Sequence, residues 1–131
     1  MNILRIFLFS NYFNAPEDSE ALRIIKGNSG ADQKLGIEMV DSFRVLYPDR
    51  ENVGTYNGFT GQSDGPKIDY IMVKSNMTVI EAYILQTNQK GRYPSDHFPV
   101  TAQVGLPWMP IKTTKENWTL ACILHASWPL E

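Results

Sequence analysis

Three strand-like runs separated by short breaks limit what this chain can fold into more than any other feature. Ile68 to Val73 and Thr78 to Gln86 read as strands joined by a tight turn at Ser75-Asn76. Phe98 to Val104 reads as a third strand, reached through the polar loop Thr87 to Asp96. Breaks this short favour antiparallel neighbours, because a parallel return needs a long crossover.

Ahead of these runs the pattern changes. Ile3 to Phe9 is almost continuously apolar, as in a strand buried on both faces. Pro16, Glu17, Asp18 and Glu20 then suit the start of a helix, whose apolar stripe would be Ala21, Leu22, Ile24 and Ile25. Lys26-Gly27 would end it. Met39, Val40, Phe43 and Leu46 predict a second helix from about Ile37 to Leu46, stopped before Pro48. Residues 48–66 are rich in Gly, Asn, Asp and Pro and read as a long loop, which in a compact domain is usually functional or mobile. Strand, helix, helix and then antiparallel strands make a layered α/β or α+β domain.

The chain has 131 residues, 43% of them hydrophobic and 20% charged, the balance of an ordinary globular domain. Its net charge of −2 makes no electrostatic case for tight nucleic-acid binding. A lone cysteine, Cys122, excludes an intrachain disulfide. The sequons at Asn76 and Asn117 are triplets common by chance. The opening apolar run is short, is interrupted by Arg5 and lacks a small-residue cleavage site. The expectation is therefore a soluble, intracellular protein with no membrane insertion. After Gly105 the pattern dissolves, so 106–131 is set apart as a tail of uncertain structure; His125 and Cys122 read there as packing residues.

Two short segments carry chemistry: Lys67-Ile68-Asp69-Tyr70 and Ser95-Asp96-His97-Phe98-Pro99. An aspartate able to orient a histidine, next to another aspartate free to hold a metal, suits phosphate-ester chemistry. Both segments, the second extended to Tyr93-Pro94 and Val100, resemble the two C-terminal signatures of the endonuclease/exonuclease/phosphatase superfamily. Thr55-Tyr56-Asn57-Gly58-Phe59-Thr60-Gly61 is similar to the family segment before the first signature, where histidine often stands at the place of Asn57. Asn14 to Ala21 is similar to the stretch after the family's Gly-Asp-Phe-Asn motif.

The resemblance runs from residue 2 to about 104 and implies that 1–105 are the C-terminal half of a DNase I-like layered α/β sandwich. The half would supply mainly one mixed or antiparallel sheet with flanking helices. It implies that His97 contacts the scissile phosphate, that Asp69 holds its imidazole, and that Asn14 orients phosphate or water. Asp96 would be a metal-side carboxylate for Mg²⁺ (or Mn²⁺), and Tyr56 and Phe59 would face substrate. Asn14 also suits the approach to a helix, and Lys90 and Arg92 suit a solvated loop.

The departures are specific. Tyr12 stands at the place of the family's water-activating aspartate, and a phenol of pKa about 10 is a poor base at neutral pH. The glutamate that is the family's main metal ligand has no counterpart. The expectation is an incomplete metal-dependent phosphoesterase of impaired activity, with a phosphate-ester substrate of DNA, RNA, lipid or small-molecule type. The alternative is a non-catalytic remnant or binding module needing a partner chain to cover an exposed sheet face.

Overall fold

The computed structural model describes residues 9–11, 13–27, 38–105 and 118–122. Along them run β1 (Phe9–Asn11), α1 (Glu20–Ile25), β2 (Met39–Asp41), α2 (Ser42–Leu46), β3 (Tyr70–Lys74), β4 (Thr78–Ile84), β5 (Val100–Gly105) and β6 (Trp118–Cys122). The Ile3–Phe9 run apart from its last residue, Tyr12, and the tail apart from β6 lie outside the described residues.

Every strand pairing is antiparallel, and the strands make two three-stranded sheets, ordered β1-β3-β2 and β4-β5-β6. The fold is thus a small α/β structure with two antiparallel sheets and few helices. This corrects the expectation of mainly one sheet. β3 and β4 are adjacent in sequence, yet they do not pair, because β1 and β2 already occupy both edges of β3. The turn closed by the Met77 N–H on the Lys74 carbonyl at 2.9 Å therefore carries the chain from one sheet to the other.

Alternation along β3 places a core on each of its faces. Ile71 and Val73 meet Val79, Ala82, Val100, Ala102 and Val104 of the second sheet, and Phe43 of α2 joins them. Tyr70 and Met72 point the other way, onto Met39 and Leu22. A strand covered on both sides reads as an unbroken apolar run, which is how Tyr70 to Val73 reads. The inner faces of the two sheets cover one another, so the apolar face expected to need a partner chain is buried within the chain itself.

Ser19 caps α1 by accepting from the Leu22 N–H, and Gly27, at φ 79, follows its end. Of the expected stripe only Leu22 is fully buried, while Ala21 and Ile24 face outward. The expected helix from Ile37 to Leu46 is corrected to β2 followed by α2. Met39 and Val40 pair with Lys74 and Val73, and Asp41 stops the strand by capping α2, its Oδ1 accepting from the Phe43 N–H at 3.0 Å. Apolar residues at 39, 40, 43 and 46 serve either conformation, and the pairing decides. Among the described residues no helix is long and apolar enough to cross a membrane.

The segment before α1 is fastened to α2 by a two-pronged ion pair. Arg44 Nε and Nη2 donate to Glu17 Oε1 and Oε2 at 2.7 and 2.8 Å, while Nη1 reaches the carbonyl of Arg50 at 2.8 Å. The Arg44 bond holds the Glu17 carboxyl below its ordinary value of 4.5 against the opposing effect of burial. A carboxylate depressed in the folded state stabilises above its unfolded pKa, and that contribution is lost as pH falls through the folded one. Glu17→Gln should lower stability at neutral pH by ~1 kcal/mol. It should also flatten the decline below about pH 4.5, both read from denaturant melts across pH.

Candidate functional site

Asp69 directly precedes β3, and His97 lies three residues before β5. The residues are 28 apart in sequence, yet Asp69 Oδ2 lies 2.7 Å from His97 Nδ1, and both side chains are buried. A carboxylate on Nδ1 fixes the ring's orientation and favours the tautomer protonated on that nitrogen. The other Asp69 oxygen, Oδ1, is buried with no hydrogen-bond partner.

Thr55 builds this pair. Its buried Oγ1 accepts from the Ile68 and Asp69 N–H groups at 3.0 and 3.1 Å, and its carbonyl accepts from the Phe98 N–H at 2.7 Å. One residue thereby sets the backbone of both signatures. Lys67 fixes the other side of Asp69: its Nζ donates to the Asp69 carbonyl at 3.0 Å and to Asp41 Oδ2 at 2.8 Å, fully buried. Burial pulls the ammonium below its ordinary pKa, while the Asp41 carboxylate works in the opposite direction.

Asn57 fastens the 55–61 segment to the second signature. Its backbone N–H and that of Gly58 donate to the Asp96 carbonyl at 2.7 and 3.1 Å, and its Nδ2 donates to the Ser95 carbonyl at 3.3 Å. Its Oδ1 accepts from the Phe59 N–H at 2.8 Å, closing a turn through Gly58 and Phe59. Ser95 Oγ accepts from the His97 N–H at 3.1 Å.

The expected site residues fall around this frame. Tyr56 forms an isolated bridge with His97 and sets its ring edge-on to the imidazole, centroids 5.3 Å apart. Tyr56 and Phe59 are exposed, at 48% and 60%. Asp96 is half-buried, with its backbone carbonyl engaged by the Asn57–Gly58 turn. Asn14 is exposed at φ 46, a conformation asparagine tolerates, and the next residue, Ala15, donates its N–H to the Ile68 carbonyl at 3.4 Å. The structure thus brings Asp69, His97 and Tyr56 together and seats Asn14 and Asp96 on segments bonded to theirs. Lys90 and Arg92 are exposed on the 88–92 turn, and Asp49, Glu51 and Asp64 are exposed in the long loop.

Mg²⁺ takes oxygen ligands in near-octahedral geometry. Among the described residues no group of three or more His, Cys, Asp and Glu side chains converges, so the described donors do not form a metal site. Asp96 and the orphaned Asp69 Oδ1 are the candidate oxygens present.

Thr55, Asn57 and the structural part of Lys67 were missed from sequence. Lys67 stands three residues ahead of β3, and a lysine buried there needs a partner, which was the available signal. No family model, curated protein or solved structure matches this chain.

Thr55→Val keeps the volume but leaves two buried N–H groups unpaired, at ~1–3 kcal/mol each. The variant should melt earlier, and the His97 ring nitrogens should lose the single-tautomer pattern in ¹⁵N NMR. Thr55→Ser should restore both.

Proposed function

We propose that the chain carries the phosphate-contacting part of a metal-dependent phosphoesterase of the endonuclease/exonuclease/phosphatase superfamily, its two sheets belonging to a DNase I-like sandwich. One observation carries the reading: a buried Asp69–His97 contact of 2.7 Å joins the two segments whose residues resemble that family's signatures. In this reading a phosphate ester lies against His97. The imidazole contacts a phosphoryl oxygen and stabilises the negative charge that builds there. Asp69 keeps the ring in one orientation. Thr55 and Lys67 act through Asp69 and are positioning residues.

Mg²⁺ (or Mn²⁺) is the cofactor the reading implies, and bound it would neutralise phosphate charge. Asp96 is the residue assigned to its side of the site. A second reading, a module that binds phosphate esters without turning them over, is favoured by the donor set, since no three metal-ligating side chains converge among the described residues. In that case a partner polypeptide could complete the site.

Hydrolysis of bis(p-nitrophenyl) phosphate in Mg²⁺ or Mn²⁺ separates the two. A slow, metal-dependent rate that falls at least ~100-fold in His97→Ala supports the esterase. Binding of the ester without hydrolysis, lost in the same variant, supports the binding module. Hydrolysis that survives His97→Ala contradicts both.

A further inference from the structure

We infer that a cavity walled by α2, the 50–53 segment and β4 is a second binding site, one that takes a small aromatic carboxylate. Phe43 of α2, Val53 of the long loop, and Ala82 and Ile84 of β4 supply its apolar wall, and Arg50 and Asn52 line it as well. Thr55, Tyr56, Asp69, Asp96 and His97 do not line it, so the inference stands apart from the reading of His97.

Protein interiors close around gaps much larger than a water molecule. Here Phe43, Val53 and Ala82 are buried members of the core between the sheets, yet a space of about 160 Å³ lies against them. Ala82 helps to leave it open. Its side chain is a single methyl at a fully buried position, and its cross-strand partner is another alanine, Ala102. An apolar cavity of about 150 Å³ holds one benzene molecule. One six-membered ring therefore fits here, with the Phe43 ring as part of its wall.

The only charged side chain that lines the cavity is Arg50, and no carboxylate among the described residues pairs with it. Its position is fixed from two directions. Its carbonyl accepts from Arg44 Nη1 at 2.8 Å, and its guanidinium carbon lies 5.4 Å from the centroid of the Tyr47 ring. Tyr47 in turn packs on Phe43, ring centroids 5.0 Å apart. A guanidinium fork matches a carboxylate through two parallel hydrogen bonds, and the Asn52 side-chain amide offers a further donor. Both residues are exposed, so the cavity opens to solvent where they stand. An aromatic acid would satisfy the two halves at once, its ring against the apolar wall and its carboxylate at the mouth.

Titrations of the full chain with benzoate, benzamide and acetate, followed by ¹⁵N NMR, test the inference. Benzoate should bind with a Kd of about 1 mM, an ordinary affinity for so small a ligand. Its shifts should centre on Phe43, Val53 and Ala82. Benzamide keeps the ring without the charge and acetate the charge without the ring, so each should bind at least about tenfold more weakly. Arg50→Gln, a change at an exposed position, should bring benzoate down to the affinity of benzamide. No shifts at the cavity residues up to about tenfold the expected Kd, or shifts centred on His97, would overturn it. So would benzamide or acetate as tight as benzoate, or a benzoate affinity that survives Arg50→Gln.

Discussion

A lysine ammonium shut away from water needs a partner for each of its protons, and Lys67 has three. Asp41 Oδ2 lies at 2.8 Å, the Asp69 carbonyl at 3.0 Å, and the Tyr70 ring centroid at 3.6 Å. Removing one member of such a buried pair strands the other charge and is strongly destabilising, whereas the intact pair adds little by itself. Its value here is in what it connects. Asp41 ends β2 and caps α2, Asp69 holds the histidine, and Tyr70 faces the α1 side of the first sheet.

Tyr70 extends the same network. Its hydroxyl lies within hydrogen-bond distance of the carbonyls of Lys67 and Ala15, which brings the segment around Asn14 to the start of β3. Burial raises its pKa, and the carboxylates of Glu17, Asp41 and Asp69 push the same way, so it remains a phenol able to donate. The candidate site is therefore assembled from segments that the core elements hold by their ends. Thr55 joins the long loop to both signatures, and Lys67 joins the first signature to the sheet. The long loop contributes three consecutive working residues, Thr55, Tyr56 and Asn57, as connections of such length in compact domains often do.

The strands at 68–73, 78–86 and 98–104 were legible in sequence because their apolar patterns match a pleated surface. Their partners were not. An unbroken apolar run shows that β3 is covered on both faces but not which strands lie at its edges, and a tight turn at Ser75-Asn76 suggested a hairpin that does not form. β2 was hidden because Met39, Val40 and Phe43 satisfy a helical stripe equally well. β6 lies in a stretch with no periodic signal. The contact between Asp69 and His97 was expected from the resemblance, whereas the groups that hold it, Thr55 and Lys67, have no signature of their own: their work is done by a hydroxyl, a carbonyl and a buried ammonium.

The central claim is that the Asp69–His97 pair marks the place where a phosphate group binds. A crystal structure of the protein soaked with tungstate, a heavy tetrahedral anion of phosphate shape, tests this most directly. The account predicts an anomalous peak within hydrogen-bond distance of the His97 imidazole, on the side of Tyr56. A peak elsewhere with none at His97, or no ordered anion at saturating concentration, would contradict it.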